Sequence, residues 1–172
     1  MLRVNRAVGS EATRVLWESQ HFIIDSMASA NCFLQGRQRS GRRYITRLTV
    51  TKSGPALATD FYKLLNVATR LRSLKVTLPS RFRMPLGEHI DSHYQSLVCY
   101  LAPTGADFEE ATRRLDTVCF DIGPAQRTVL DDKGDPIKVM TPELNTWCRK
   151  RVRKHLLKHF AVKQVAGDLV VE

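Results

Sequence analysis

The chain of 172 residues has no apolar run approaching the ~20 residues of a membrane-spanning helix, so a membrane span is not expected. Its four cysteines, Cys32, Cys99, Cys119 and Cys148, contain no CxxC pair, which removes the usual half-site of a structural zinc cluster and reads as reduced thiols. There is no GxxxxGK(S/T) loop, no GxGxxG after a strand, no GxSxG and no HExxH. His89 with His93, and His155 with His159, have the i,i+4 spacing of paired ligands, but neither pair has a third strong ligand nearby. Asp131, Asp132 and Asp135 surround an Asp-Lys-Gly-Asp turn. The residues therefore imply no catalytic group, no metal, no cofactor and no small-molecule substrate.

Acid is missing from two long stretches, 26–59 and 144–167, and both are rich in cations. Lys plus Arg number 27 against 17 acids, a net charge of +10, which favours a polyanionic partner. Residues 1–43 carry seven basic and three acidic groups, 44–122 ten and eight, and 123–172 ten and six. That asymmetry predicts a balanced domain over 44–122 between a basic N-terminal extension, 1–43, and a basic C-terminal extension, 123–172. The first residues, with Arg3, Arg6 and Arg14, resemble a mitochondrial leader; Glu11 and Glu18 count against this, and an amphipathic helix is the alternative reading.

The middle segment alternates short apolar runs with helical periodicity. "RYITRLTVTK" reads as a strand, and Gly54-Pro55 opens a helix whose Leu57, Phe61, Leu64, Leu65, Ala68 and Leu71 share a face, closed by Arg70 and Arg72. "SLKVTLP" and "QSLVCYLAP" read as strands, each stopped by proline. A short helix capped by Thr104 or Asp107 follows, then the strand "DTVCFDI". The order β-α-β-β-α-β predicts an α+β fold, the ferredoxin-like split β-α-β plan: a four-stranded sheet with two helices on one face. Beyond it, "RTVLDDKGDPIKVM" reads as a hairpin, and Thr141-Pro142-Glu143 starts a last helix. No internal repeat is evident in the residues.

On that last helix Leu144, Cys148, Val152 and Leu156 form an i,i+4 stripe, and six cations fall between 149 and 158, mainly on the other side. Such a face, and the arginine-rich arm before the first strand, have the composition for binding phosphates. The candidate RNA-binding residues are Arg37, Arg39, Arg42, Arg43, Arg47, Arg149, Lys150, Arg153, Lys154 and Lys158. The aromatics do not form the strand pattern of an RNA-recognition motif, so contact with backbone rather than stacked bases is expected.

"SLVCYLAPTGADFEEATRRLDTVCFDI" resembles the closing half of the ribosomal S-ten family, through Leu97–Leu101, Pro103-Thr104, Arg114-Leu115-Asp116 and Val118–Ile122. "RLTVTKSGPALATDFYKLLNVATRLRSLKVTLP" is similar to the family's opening half, so the resemblance covers 44–122. Between Pro79 and Leu97 there is too little chain for the long hairpin of the bacterial members. The resemblance implies a non-catalytic constituent of a mitochondrial ribosome in the matrix, bound to rRNA and to neighbouring ribosomal proteins. Two other classes fit the composition: a structural subunit of another mitochondrial assembly such as a respiratory complex, and a small ferredoxin-like phosphate-binding enzyme.

Overall fold

A computed structural model describes residues 6–36, 41–78, 86–122, 128–130, 136–138 and 141–168. In chain order the elements are α1 (Arg6–Ser19), β1 (His21–Ile24), α2 (Met27–Gln35), a 3-10 turn (Arg42–Tyr44), β2 (Arg47–Val50), α3 (Pro55–Leu65) and β3 (Ser73–Leu78). Then come α4 (Leu86–Leu101), α5 (Phe108–Thr117), β4 (Val118–Ile122), β5 (Thr128–Leu130), β6 (Pro136–Lys138) and α6 (Thr141–Asp168).

The strands β1 to β4 form one sheet in the order β1-β2-β3-β4, and every pairing is parallel. The protein is thus a mixed α/β fold, and the ferredoxin-like arrangement expected from the element order is not what forms. Two local differences explain this. The apolar run 95–101 is the end of α4, not a strand: Ile90, His93, Leu97, Tyr100 and Leu101 are buried at helical spacing, and Pro103 ends a helix as readily as a strand. Residues 21–35, assigned to a basic extension, instead supply β1 to the sheet edge and α2 to the face of α3.

Because the strand order advances in one direction through parallel pairings, the connecting helices α2, α3 and α4 follow one another, each packed on the next. The alternation of the strands follows. Phe22, Ile24, Leu48, Val50, Leu74, Val76, Leu78, Val118 and Phe120 belong to the core or pack against it. On the opposite face stand His21, Ile23, Arg47, Thr49, Lys75, Thr77, Cys119 and Asp121, with Ile23 67% exposed and Lys75 paired to Asp121 at 2.6 Å. His21, Arg47 and Ser73 are in register, a step of 26 residues from 21 to 47 and again from 47 to 73. Each step is one β-α unit, so the fold contains the structural repeat that the residues themselves did not display.

The helices form for ordinary reasons. Gly54 and Pro55 open α3, whose Ala58, Phe61, Tyr62 and Leu65 are fully buried at i, i+3, i+4 and i+7. The buried Tyr62 hydroxyl is hydrogen-bonded to the buried His93 Nε2 on α4, at 2.6 Å. Asp107 is the N-cap of α5, accepting from the Glu110 amide at 2.8 Å. The predicted stripe on α6 is fully buried, at about 1.5–3 kcal/mol for each of Leu144, Val152 and Leu156. It seats α6 against α4, α5 and β4.

Candidate anion-binding site

The leading ends of β2 and β3 meet the end of α1. Thr46 holds these segments together: its hydroxyl donates to the Glu18 carbonyl at 2.8 Å, and its own carbonyl accepts the Arg72 and Ser73 amides at 2.9 and 3.1 Å. Around this junction lies a cleft of about 800 Å³ lined by Arg14, Glu18, Thr46, Arg47, Thr69, Arg70, Leu71, Arg72, Ser73 and Arg113. Five guanidinium groups thus face one carboxylate, and none of the lining residues is aromatic.

The single carboxylate is shared. Glu18 Oε1 accepts from Arg14 Nε at 3.3 Å and forms an ion pair with Arg70. Arg47 Nη2 donates to the Ser19 carbonyl at 2.9 Å, placing a cation at the negative end of α1 but, among the described residues, against no carboxylate. Arg113, also in the lining, is bound to Glu110, whose carboxyl is held below its ordinary range by hydrogen bonds from Arg114 and then Arg113. Arg72 is exposed, with no carboxylate bound to it among the described residues. The cleft therefore retains uncompensated positive charge, bordered by the hydroxyls of Thr46, Thr69 and Ser73.

Of the predicted RNA-binding residues, Arg47 alone lines this cleft, and Arg37 and Arg39 lie outside the described residues. Arg43 is exposed over the Tyr44 ring at 4.7 Å, with Arg70 over the same ring at 5.5 Å. Arg42 departs from expectation: it is 6% exposed and its Nε has no hydrogen-bond partner among the described residues, so it is no arm reaching into solvent.

Arg149 departs likewise, for its guanidinium turns onto the sheet edge, donating to the Val118 carbonyl at 2.8 and 3.0 Å and to that of Asp116 at 2.9 Å. Asn145 Oδ1 accepts the Phe120 amide at 3.0 Å, so α6 satisfies the outward groups of β4. Lys150, Arg153, Lys154 and Lys158 are exposed on α6 as expected. His155 and Arg151 are engaged by Asp91 of α4, at 2.7 Å for His155 Nε2 and at 2.7 and 2.8 Å for the two Arg151 nitrogens. The Arg151 hydrogen bonds, joined by His155, draw the Asp91 carboxyl down to about 2.

The two cationic surfaces are separate. Between them runs a groove of about 520 Å³ in which Arg113 and Arg153 stand among Asp107, Glu109, Glu110 and Asp116. Arg14, Arg70, Arg72 and Arg113 did not stand out in the sequence as site residues, because they come from three separate segments that only the fold brings together.

The fold and the cleft define a short stack of β-α units with an arginine-lined end. The chain matches no protein-family model, no curated protein and no solved structure. Among the described residues no helix is long and apolar enough to cross a membrane.

Proposed function

We propose that the chain is a non-catalytic binding module that holds an anionic macromolecule in the arginine cleft. The observation that carries this reading is the cleft's charge: of five lining arginines, Arg14 and Arg70 are paired with Glu18, Arg14 also lies 3.9 Å from Glu11 and Arg113 is held by Glu110, which leaves Arg47 and Arg72 without a carboxylate among the described residues. Two features favour binding over catalysis. Open parallel sheets place reaction sites beyond the carboxyl ends of the strands, where the strand order reverses, and an order of β1-β2-β3-β4 has no reversal. The cleft lies at the amino ends, no histidine, cysteine or aspartate lines it, and its one carboxylate, Glu18, is held by Arg14 and Arg70.

The test is the salt dependence of binding to a generic polyanion, heparin, by the full chain. Arg72→Gln with Arg47→Gln is expected to weaken binding and lower the slope of log affinity against log salt by about one unit per lost contact. An unchanged slope rejects the cleft as the binding surface.

Residence in a mitochondrial ribosome, on rRNA and neighbouring ribosomal proteins, is a second reading. It is favoured by the row Lys150, Lys154 and Lys158, exposed at i,i+4 spacing along α6 and rising about 6 Å per step. Its support from the fold is narrower than the resemblance implied, since Leu97–Leu101 lies in α4. Co-migration of the tagged protein with one rRNA on a sucrose gradient, abolished by RNase, is the expected result. RNase-insensitive migration overturns it.

A further inference from the structure

We infer that the ligand of the arginine cleft is an acidic peptide segment of a partner protein, its anionic oxygens supplied by carboxylates or by phosphoserine, and that Glu18 is an internal stand-in for it. This rests on the reading of the cleft as an anion site and goes beyond it by assigning the ligand class and a built-in competitor.

Three observations favour a peptide over a nucleic acid. First, single strands are held largely by bases stacked on aromatic rings, and no aromatic residue lines the cleft. Trp17 is buried against Phe22 and Phe33, and Tyr44 already carries Arg43 and Arg70. Second, a polyanion running on from Arg113 toward α6 would enter the groove lined by Asp107, Glu109, Glu110 and Asp116. Repulsion there restricts the ligand to a local group of charges, which a peptide offers and a continuous phosphate backbone does not.

Third, the cleft opens onto the sheet face opposite α2, α3 and α4. Arg47 and Ser73, which line it, are the first residues of β2 and β3 and share their parity with Thr49, Lys75 and Thr77. An extended segment lying on that face, beside the exposed Ile23, delivers its acidic end to the arginines. Guanidinium clusters suit such groups because each fork matches two oxygens at once.

Glu18 completes the argument. One of its oxygens holds both Arg14 and Arg70, in the middle of the lining, where an incoming carboxylate or phosphate would seek the same two partners. Binding then proceeds by exchange of one anion for another, and the internal one sets the affinity.

The experiment is fluorescence anisotropy with the full chain and three 12-residue probes: an Asp/Glu-rich peptide, the same peptide neutralised to Asn/Gln with one phosphoserine, and a single-stranded RNA. The variants are Arg72→Gln and Glu18→Gln, the latter keeping an acceptor for both arginines while removing their counter-charge. One or both acidic peptides are expected to bind more tightly than RNA, about tenfold weaker in Arg72→Gln and about tenfold tighter in Glu18→Gln. Whichever peptide responds identifies the source of the anionic oxygens.

RNA binding as tightly as the peptides, with the same response to Arg72→Gln, overturns the peptide assignment and leaves the anion site standing. No binding by any probe, or binding indifferent to Arg72→Gln, overturns both. Glu18→Gln weakening the peptide overturns the competitor role and assigns Glu18 to structure.

Discussion

The Arg149 guanidinium donates to the Val118 carbonyl through both Nε and Nη2, tying the middle of α6 to the outer edge of β4. A residue whose composition points outward, to phosphate, is turned inward because a parallel edge strand leaves carbonyls that need donors. Arg149→Met is expected to lose about 1–3 kcal/mol of stability, read as a lower urea midpoint at unchanged m-value. Arg149→Lys recovers only part, since an ammonium cannot reproduce the forked geometry.

Asp91 makes stability depend on acid. Its folded pKa of about 2 is lower than its unfolded value, so its contribution is fully present above about pH 4 and is lost as pH falls through 2. With 37% of its side chain exposed, screening reduces that contribution to about 1 kcal/mol. Asp91→Asn is expected to be less stable at pH 7 and to show a shallower decline between pH 4 and 2 in urea titrations.

Gly41 is required by proximity. A β-carbon there would overlap the Trp17 indole, which is itself packed on Phe22 and Phe33. Gly41→Ala must displace that ring and is expected to cost about 1–3 kcal/mol, whereas Gly9→Ala, with nothing near the added carbon, is expected to be neutral or stabilising. Thermal midpoints of the two variants check this.

The cysteines differ in reactivity. Burial pushes the Cys148 thiol up to about 12, while Cys32 is exposed. Native protein is expected to label quickly with iodoacetamide at Cys32, and Cys148 only in denaturant, as peptide mapping by mass spectrometry would report. Fast native labelling of Cys148 contradicts the packing of α6.

Much of the fold was legible where a segment carries its own signal. The strands β2, β3 and β4 show alternation, α3 and α5 show caps and spacing, and the α6 stripe is buried as read. Three things were not legible. Six apolar residues from Leu97 to Ala102 fit a strand as well as a helix, and the deciding contacts, Ile90 and His93, lie upstream. The four residues of β1 are too few to register against a basic background, and strand direction is a property of crossovers, not of alternation.

The third is the cleft. A density of charge marks 149–158 in the sequence, but Arg14, Arg47, Arg70, Arg72 and Arg113 converge only after the sheet is assembled. Local density also misled in sign of orientation, for Arg42 and Arg149 both turn inward.

The unequal edges of the sheet give the molecule a polarity that no single unit has. At β4 the side chains of Asn145 and Arg149 complete the ladder. At β1 the ladder stops, among the described residues, on the side away from β2, next to exposed Ile23. Units that touch mainly their neighbours come apart from whichever end is held least, so opening should begin at β1 and travel toward α6. Amide exchange would then be graded across the four strands, and α6 would be the last element to open.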